Sequence, residues 1–224
     1  MKITQGLGSV IDPHEQINTV TPKWDEKAAK WISRLFTPPL VTLAGLLYLT
    51  MQIGTKSAYL WLCFQLVLSF IIPISYLVIE IRRGNITNFH MRLREQRIRP
   101  MTVGLVCVTL AWVIMWVGSA PYALIVFAGI GILQTAFLLL VTLRWKISGH
   151  SMTIAGVAVF FYGTLGSASA PILLTIPLVA WARVRLSRHD QLQVLAGTTS
   201  GILFTLIGLY ILVKHCHGIN LLCQ

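Results

Sequence analysis

Three short segments hold the residues of this chain best suited to gripping and handling an anion. The first is Arg92-Leu93-Arg94-Glu95-Gln96-Arg97-Ile98-Arg99-Pro100. Arginine presents a planar fork of donors that suits phosphate oxygens. A solvated loop touching anionic headgroups would carry the same residues. The second is Trp145-Lys146-Ile147-Ser148-Gly149-His150, directly before an apolar run. A helix that begins there turns backbone N–H groups and its positive end toward an anion. Ser148 adds a hydroxyl, and Gly149 lets a ligand approach the backbone closely. The same serine also serves as a plain helix cap. The third runs from Trp181 to Gly197 and brings Arg183, Arg185, Arg188 and His189 together where one apolar run ends and the next begins. His189 and Gln193 are four apart and share a helical face, whereas Asp190 points elsewhere. Snorkelling arginines with a capping aspartate would explain these residues without a ligand.

The elements that must position these segments are apolar runs of membrane length. The chain has 224 residues, of which 55% are hydrophobic and 11% charged. A soluble domain carries about 25% charged residues, so most of this surface does not face water. The first 37 residues are polar and mixed in charge, with no cleavable signal pattern. Within them Trp24 to Phe36 reads as a short interfacial helix. After Pro38-Pro39 the pattern predicts spans at about 39–54, 58–81, 102–119, 121–143, 151–168, 171–186 and 191–213. The sixth is short, so the expectation is an all-α polytopic bundle of six to seven spans. The domain division is a tail over 1–37, one transmembrane domain over 38–213, and a tail over 214–224.

Turns at Gly54-Thr55-Lys56-Ser57, Ser119-Ala120-Pro121 and Ser167 to Pro171 alternate with basic segments at 82–101, 144–150 and 185–190. The two sets fall on opposite faces of the bilayer. Of the 18 lysines and arginines, only Lys56 and Lys214 lie on the face away from the basic segments. The positive-inside rule places that basic face in the cytoplasm, here of a cell (inner) membrane. All three anion-suited segments lie on it, each beside the end of a span.

In order and spacing these segments resemble the type 2 phosphatidic acid phosphatase superfamily, the lipid phosphate phosphatases that share a core with vanadium haloperoxidases. That family carries a Lys or Arg, six residues, then Arg-Pro; later Pro-Ser-Gly-His; later Ser-Arg, five residues, His, three residues, Asp. Here Arg92 is followed after six residues by Arg99-Pro100. Ser148-Gly149-His150 follows, with Ile147 for the proline. Then comes Ala182-Arg183, five residues, His189, three residues and Gln193. Ala182 stands for the serine and Gln193 for the aspartate. The last change is similar to the variant in dolichyl-diphosphate phosphatases. The resemblance covers about residues 58–213.

The resemblance implies a haloperoxidase-type core and a phosphatase acting on a membrane lipid phosphate, of isoprenyl diphosphate or phosphatidic acid type. It implies His189 as nucleophile and His150 as the acid that protonates the departing lipid oxygen. Arg92, Arg99, Arg183, Ser148 and Gly149 would hold the phosphoryl group. A Gln193 carbonyl would accept the imidazole N–H bond that the family aspartate accepts, without its negative charge. No cofactor is expected and no metal, because the arginines neutralise the phosphate. The expected partners are the lipid substrate and the bilayer, with no nucleic acid. A catalytically weak or inactive lipid-phosphate binder is the nearest alternative, and an anion transporter a more distant one. His215-Cys216-His217 with Cys223 fits no standard zinc spacing.

Overall fold

The computed structural model describes residues 24–86 and 95–216, without the side chains of Glu95, Arg97 and Cys216. The described residues are helical, with no strand among them. Arg92, the first tail up to Lys23 and the final residues with His217 and Cys223 lie outside the described residues.

The first helix, α1 (Trp24–Leu35), is amphipathic, with Asp25 and Glu26 in its first turn and Arg34 in its last. That charge order suits the helix dipole. Trp24, Trp31 and Leu35 are exposed, as an interfacial helix requires. The chain then bends by 53° into α2 (Pro38–Ile53). Pro38 and Pro39 sit in the first turn, where a missing N–H costs nothing. Gly54, at φ 69°, ends α2 in the left-handed conformation that glycine adopts without strain.

Thr55 caps the next helix by accepting from the Ala58 N–H at 3.2 Å. That span is continuous from Lys56 to Arg82 but is interrupted by a π-helical turn at Val67–Ile71. Its flanks are α3 (Lys56–Leu66) and α4 (Ile72–Arg82). Pro73 explains the interruption: it has no N–H to donate to the Ser69 carbonyl four residues back. The Ile72 N–H reaches instead to Val67, five residues back.

Next come α5 (Glu95–Val117) and α6 (Tyr122–Thr142), joined by a tight turn in which Ser119 has φ 55°. Helix α7 (Gly149–Leu165) is followed by a 3-10 segment, Gly166–Leu174, and by α8 (Thr175–Arg185). The last helix is α9 (Gln191–Cys216).

Five helical stretches are long and apolar enough to cross a membrane, or six if the bent α1–α2 pair is one span. The difference from the expected six to seven lies mainly between residues 149 and 185. Two spans with a turn at Ser167–Pro171 were expected there. The chain does reverse there, but the turn is itself a 3-10 segment, in which Ser169 donates its hydroxyl to the Phe161 and Gly166 carbonyls at 2.9 and 2.8 Å, so Gly149 to Arg185 reads as one helical stretch. Gly166, at φ 70°, permits the break. Beyond it α8 packs back against α7, so the C-terminal end of α8 returns toward the N-terminus of α7.

The centre of the bundle is the pairing of α7 with α9, flanked by α6. Glycines make it close. Gly197 and Gly201, one turn apart on α9, face the backbone of Ser148 and Met152 on α7. A Cβ at either position would collide with that backbone. This is the small-residue packing on which helix association in a bilayer depends. The apolar core around it includes Leu46, Met115, Leu124, Phe160 and Leu212, all almost fully buried.

Candidate active site

The α7–α9 contact carries two of the three anion-suited segments. Ser148 stands just before α7 in extended conformation, and its Oγ accepts from the Ser151 N–H at 3.3 Å. The Ser151 hydroxyl lies 3.0 Å from the same oxygen. Both serines are fully buried. Ser148 is therefore a helix cap held in one orientation, with the N–H groups of Gly149 and His150 in the first turn behind it. The half-buried His150 follows directly.

Asp190 is the matching cap of α9. Its Oδ1 accepts from the Gln193 N–H at 2.8 Å, and its carbonyl accepts from the Val194 N–H at 3.1 Å. This carboxylate is spent on the helix start and faces away from the histidine. The imidazole partner is Gln193: Nδ1 of His189 lies 2.9 Å from Oε1 of Gln193. An amide oxygen only accepts, so this bond puts the proton on Nδ1 and the lone pair on Nε2. His189 itself, in the α8–α9 turn, is 8% exposed.

One backbone bond ties the two segments together. The Ser148 N–H donates to the Gln193 carbonyl at 3.1 Å. Gln193 thus fixes the imidazole with its side chain and the start of α7 with its main chain.

Arg183 lies near the end of α8, and its carbonyl accepts from the Arg188 N–H at 3.1 Å, closing the turn that presents His189. Ser187 in that turn has φ 50°. The Arg183 guanidinium donates from Nη1 to the Ser33 hydroxyl of α1 at 2.7 Å. Arg185 pairs with Asp25 of α1 at 2.8 Å. The hydrogen bond from Arg185 holds the Asp25 carboxyl below the usual carboxylate value of 3.8. Helix α1 is thereby fastened to the arginines beside His189. Neither Ser33 nor Asp25 was marked by sequence reasoning, because both contacts span more than a hundred residues of chain.

Arg99 is exposed in the first turns of α5. No direct contact joins it to His189; the connection is that Pro100, beside it, lines the same interior cavity as Gly149. Arg92 lies outside the described residues. The structure therefore brings Ser148, Gly149, His150, Arg183, His189 and Gln193 to one end of the bundle, with Arg99 at the same end on α5.

The surroundings of this end are of two kinds. On the turn side, Glu26, Lys30, Arg185 and Arg188 rim a polar recess between α1 and the α8–α9 turn. On the bundle side, Gly149 opens onto an apolar cavity. Among the described residues no three His, Cys, Asp or Glu side chains gather as metal ligands would. Gly197 is the residue of this site that sequence reasoning passed over; its signal was Gly197-Thr198-Thr199-Ser200-Gly201, a small-residue pair one turn apart in an apolar run. Comparisons with protein families, with curated proteins and with solved structures find no match for this chain.

Proposed function

We propose that this protein is an integral membrane lipid phosphate phosphatase, acting on a lipid phosphomonoester or diphosphate through a phosphohistidine. The observation that carries the reading is the His189 Nδ1–Gln193 Oε1 bond of 2.9 Å beside the capped start of α7. A nucleophilic imidazole needs its far nitrogen fixed in one tautomer, and a developing phosphoryl charge needs oriented donors. Both requirements meet here.

In the reaction proposed, the Nε2 lone pair of His189 attacks phosphorus. The bond from phosphorus to the lipid-side oxygen breaks, and His150 gives that oxygen a proton. His150 then accepts a proton from water as the water attacks the phosphohistidine. The P–N bond breaks, phosphate leaves, and His189 recovers its lone pair. Arg183, Ser148 and the Gly149 N–H spread the charge on the phosphoryl oxygens, with Arg99 and Arg92 as the contribution of the first basic segment. We infer a core of the haloperoxidase type and a basic face directed to the cytoplasm.

The test is phosphate release by the purified protein in detergent, with EDTA, from isoprenyl diphosphates, phosphatidic acid and phosphatidylglycerophosphate. Wild type should release phosphate from at least one, and His189→Ala from none. An acid-labile phosphoenzyme should accumulate in His150→Ala and be absent from His189→Ala. Equal release by wild type and His189→Ala on every substrate would overturn the reading. Lipid-phosphate binding without release would leave a binding protein instead. Sidedness is read by labelling single cysteines at Ser187 and Ser57, both exposed, after removal of the native cysteines; reaction of Ser187→Cys alone from outside would reverse the orientation.

A further inference from the structure

The bundle holds a partly open cavity of about 380 Å³. That is within the range of roughly 300–1,000 Å³ for built ligand pockets. Its walls come from α2, the Lys56–Arg82 span, α5, α6 and α7. Most of the lining is apolar. Read along each helix, the lining has an upper and a lower end. Pro100 and Gly149 line it at the level of the candidate active site. The lining residues furthest from that level are Gln65, Val108, Phe127 and Phe160, one from each of four helices. Gly149 and Phe160 are both on α7, so the slot is roughly 16 Å deep at 1.5 Å of rise per residue.

Two features show that this space is maintained. Gly104 on α5 and Gly131 on α6 both line it, and a Cβ at either would meet no atom within 4 Å. The glycines of the α7–α9 contact have the opposite surroundings, since there a Cβ would strike backbone. Gly104 and Gly131 keep space open, whereas Gly197 and Gly201 close it. The lower end is firm and partly polar. Phe127 and Phe160 meet edge to face with centroids 5.0 Å apart. Gln65 is 3% exposed, and its Oε1, like the Ser69 Oγ, has no hydrogen-bond partner among the described residues. Both side chains line the slot. The π-helical turn that begins at Val67 sets their level.

We propose that this slot houses one hydrocarbon chain of the phosphate-bearing lipid, lying inside the bundle directly below the phosphoryl site. The inference rests on the phosphatase reading for the identity of the headgroup. Continuity selects the occupant: Gly149 and Pro100 line the end of the slot nearest the residues that would hold the phosphate. A slot of this size takes one chain, so the lipid favoured is single-chained, and a two-chained lipid leaves its second chain in the bilayer. Gln65 limits the length of the chain. A longer hydrocarbon would have to displace this buried amide or pack against its unpartnered oxygen.

The experiment is photolabelling of the full-length protein in nanodiscs with geranyl, farnesyl and geranylgeranyl alcohols bearing a terminal diazirine. These probes carry no phosphate, so labelling does not depend on hydrolysis. The expected result is adducts on Val108, Phe127 or Phe160, reduced at least tenfold in Gly104→Trp and Gly131→Trp. Gln65→Leu should move the best-labelled chain to a longer one. Each variant is checked for a monodisperse, cooperatively unfolding protein, and the wild-type adduct map decides the matter even if neither tryptophan variant folds. Adducts confined to exposed positions such as Leu110 and Val117, unchanged in the variants, would overturn the slot. Hydrolysis with that adduct map would leave the phosphatase reading standing, and slot labelling without hydrolysis would leave the slot standing alone.

Discussion

Gly197 of α9 lies so close to Ser148 that a Cβ at residue 197 would collide with the Ser148 carbonyl oxygen. The contact is structural, but it sets the chemistry. It brings the capped start of α7 within 3.1 Å of the Gln193 carbonyl, and so fixes the distance between the donors of one segment and the imidazole of the other. Gly197→Ala should therefore lower kcat by about tenfold or more, since small displacements of catalytic groups are costly. It removes no polar group. Overpacking of this kind costs about 1–3 kcal/mol, visible as an earlier thermal transition in detergent. Gly131→Ala, where a Cβ meets nothing within 4 Å, should leave the thermal transition near wild type. Equal behaviour of the two variants would sink the argument.

Gln193 provides a second test. Gln193→Leu keeps the bulk and removes the acceptor, so His189 loses its fixed tautomer. Turnover should fall by about two to four orders of magnitude, as when the orienting partner of a catalytic histidine is lost. Gln193→Glu keeps the reach of the 2.9 Å bond and adds the charge that stabilises an imidazolium, so it should retain or raise turnover. Gln193→Asp supplies the same charge one methylene short and should lie between. A Glu variant that folds but is as dead as the Leu variant would show that Gln193 acts in some other way.

What was legible in the sequence was local. The i, i+4 spacing of His189 and Gln193, the cap at Ser148, the cap at Asp190 and the interfacial pattern of α1 all depend on residues within one or two turns. What was not legible came from turns of the chain back on itself. The Pro171 region reads as a turn between two apolar runs, and the chain does reverse there; what the residues do not show is that the turn is itself a 3-10 helix, with the Ser169 hydroxyl donating to carbonyls within it. The Ser33–Arg183 bond joins residues 150 apart, and no periodicity reports such a pair. The slot is an absence of side chains at Gly104 and Gly131, which a sequence shows only as two ordinary glycines in apolar helices.

The Ser33–Arg183 bond makes α1 part of the candidate phosphate site. Ser33→Ala removes the hydrogen bond that ties the guanidinium to α1. The expected effect is a rise in KM for the lipid phosphate by roughly three- to tenfold, about the net value of one ordinary hydrogen bond, with little change in kcat. Arg183→Lys should lose more, because an ammonium cannot reproduce the planar fork. Steady-state kinetics on mixed micelles separate the two parameters. An unchanged KM in Ser33→Ala would show that α1 is only an anchor.

The Asp25–Arg185 pair should make the docking of α1 depend on pH in one direction. The Asp25 carboxyl is held below 3.8 by its bond to Arg185, so the folded state favours the charged form. A depressed carboxylate contributes stability above its unfolded value and loses it as the pH falls through the folded value. Docking should accordingly be insensitive to pH from neutrality down to about pH 4, and weaken below it. Both side chains are partly exposed, so high salt should weaken docking too. Spin labels at Lys27 and Ser187, both exposed positions on the two sides of the contact, would report the separation. The distance distribution should broaden at pH 3, and Asp25→Asn should show the broad distribution already at pH 7. A distribution that stays narrow in both cases would mean that Ser33 and the apolar face of α1 hold the helix in place without the ion pair.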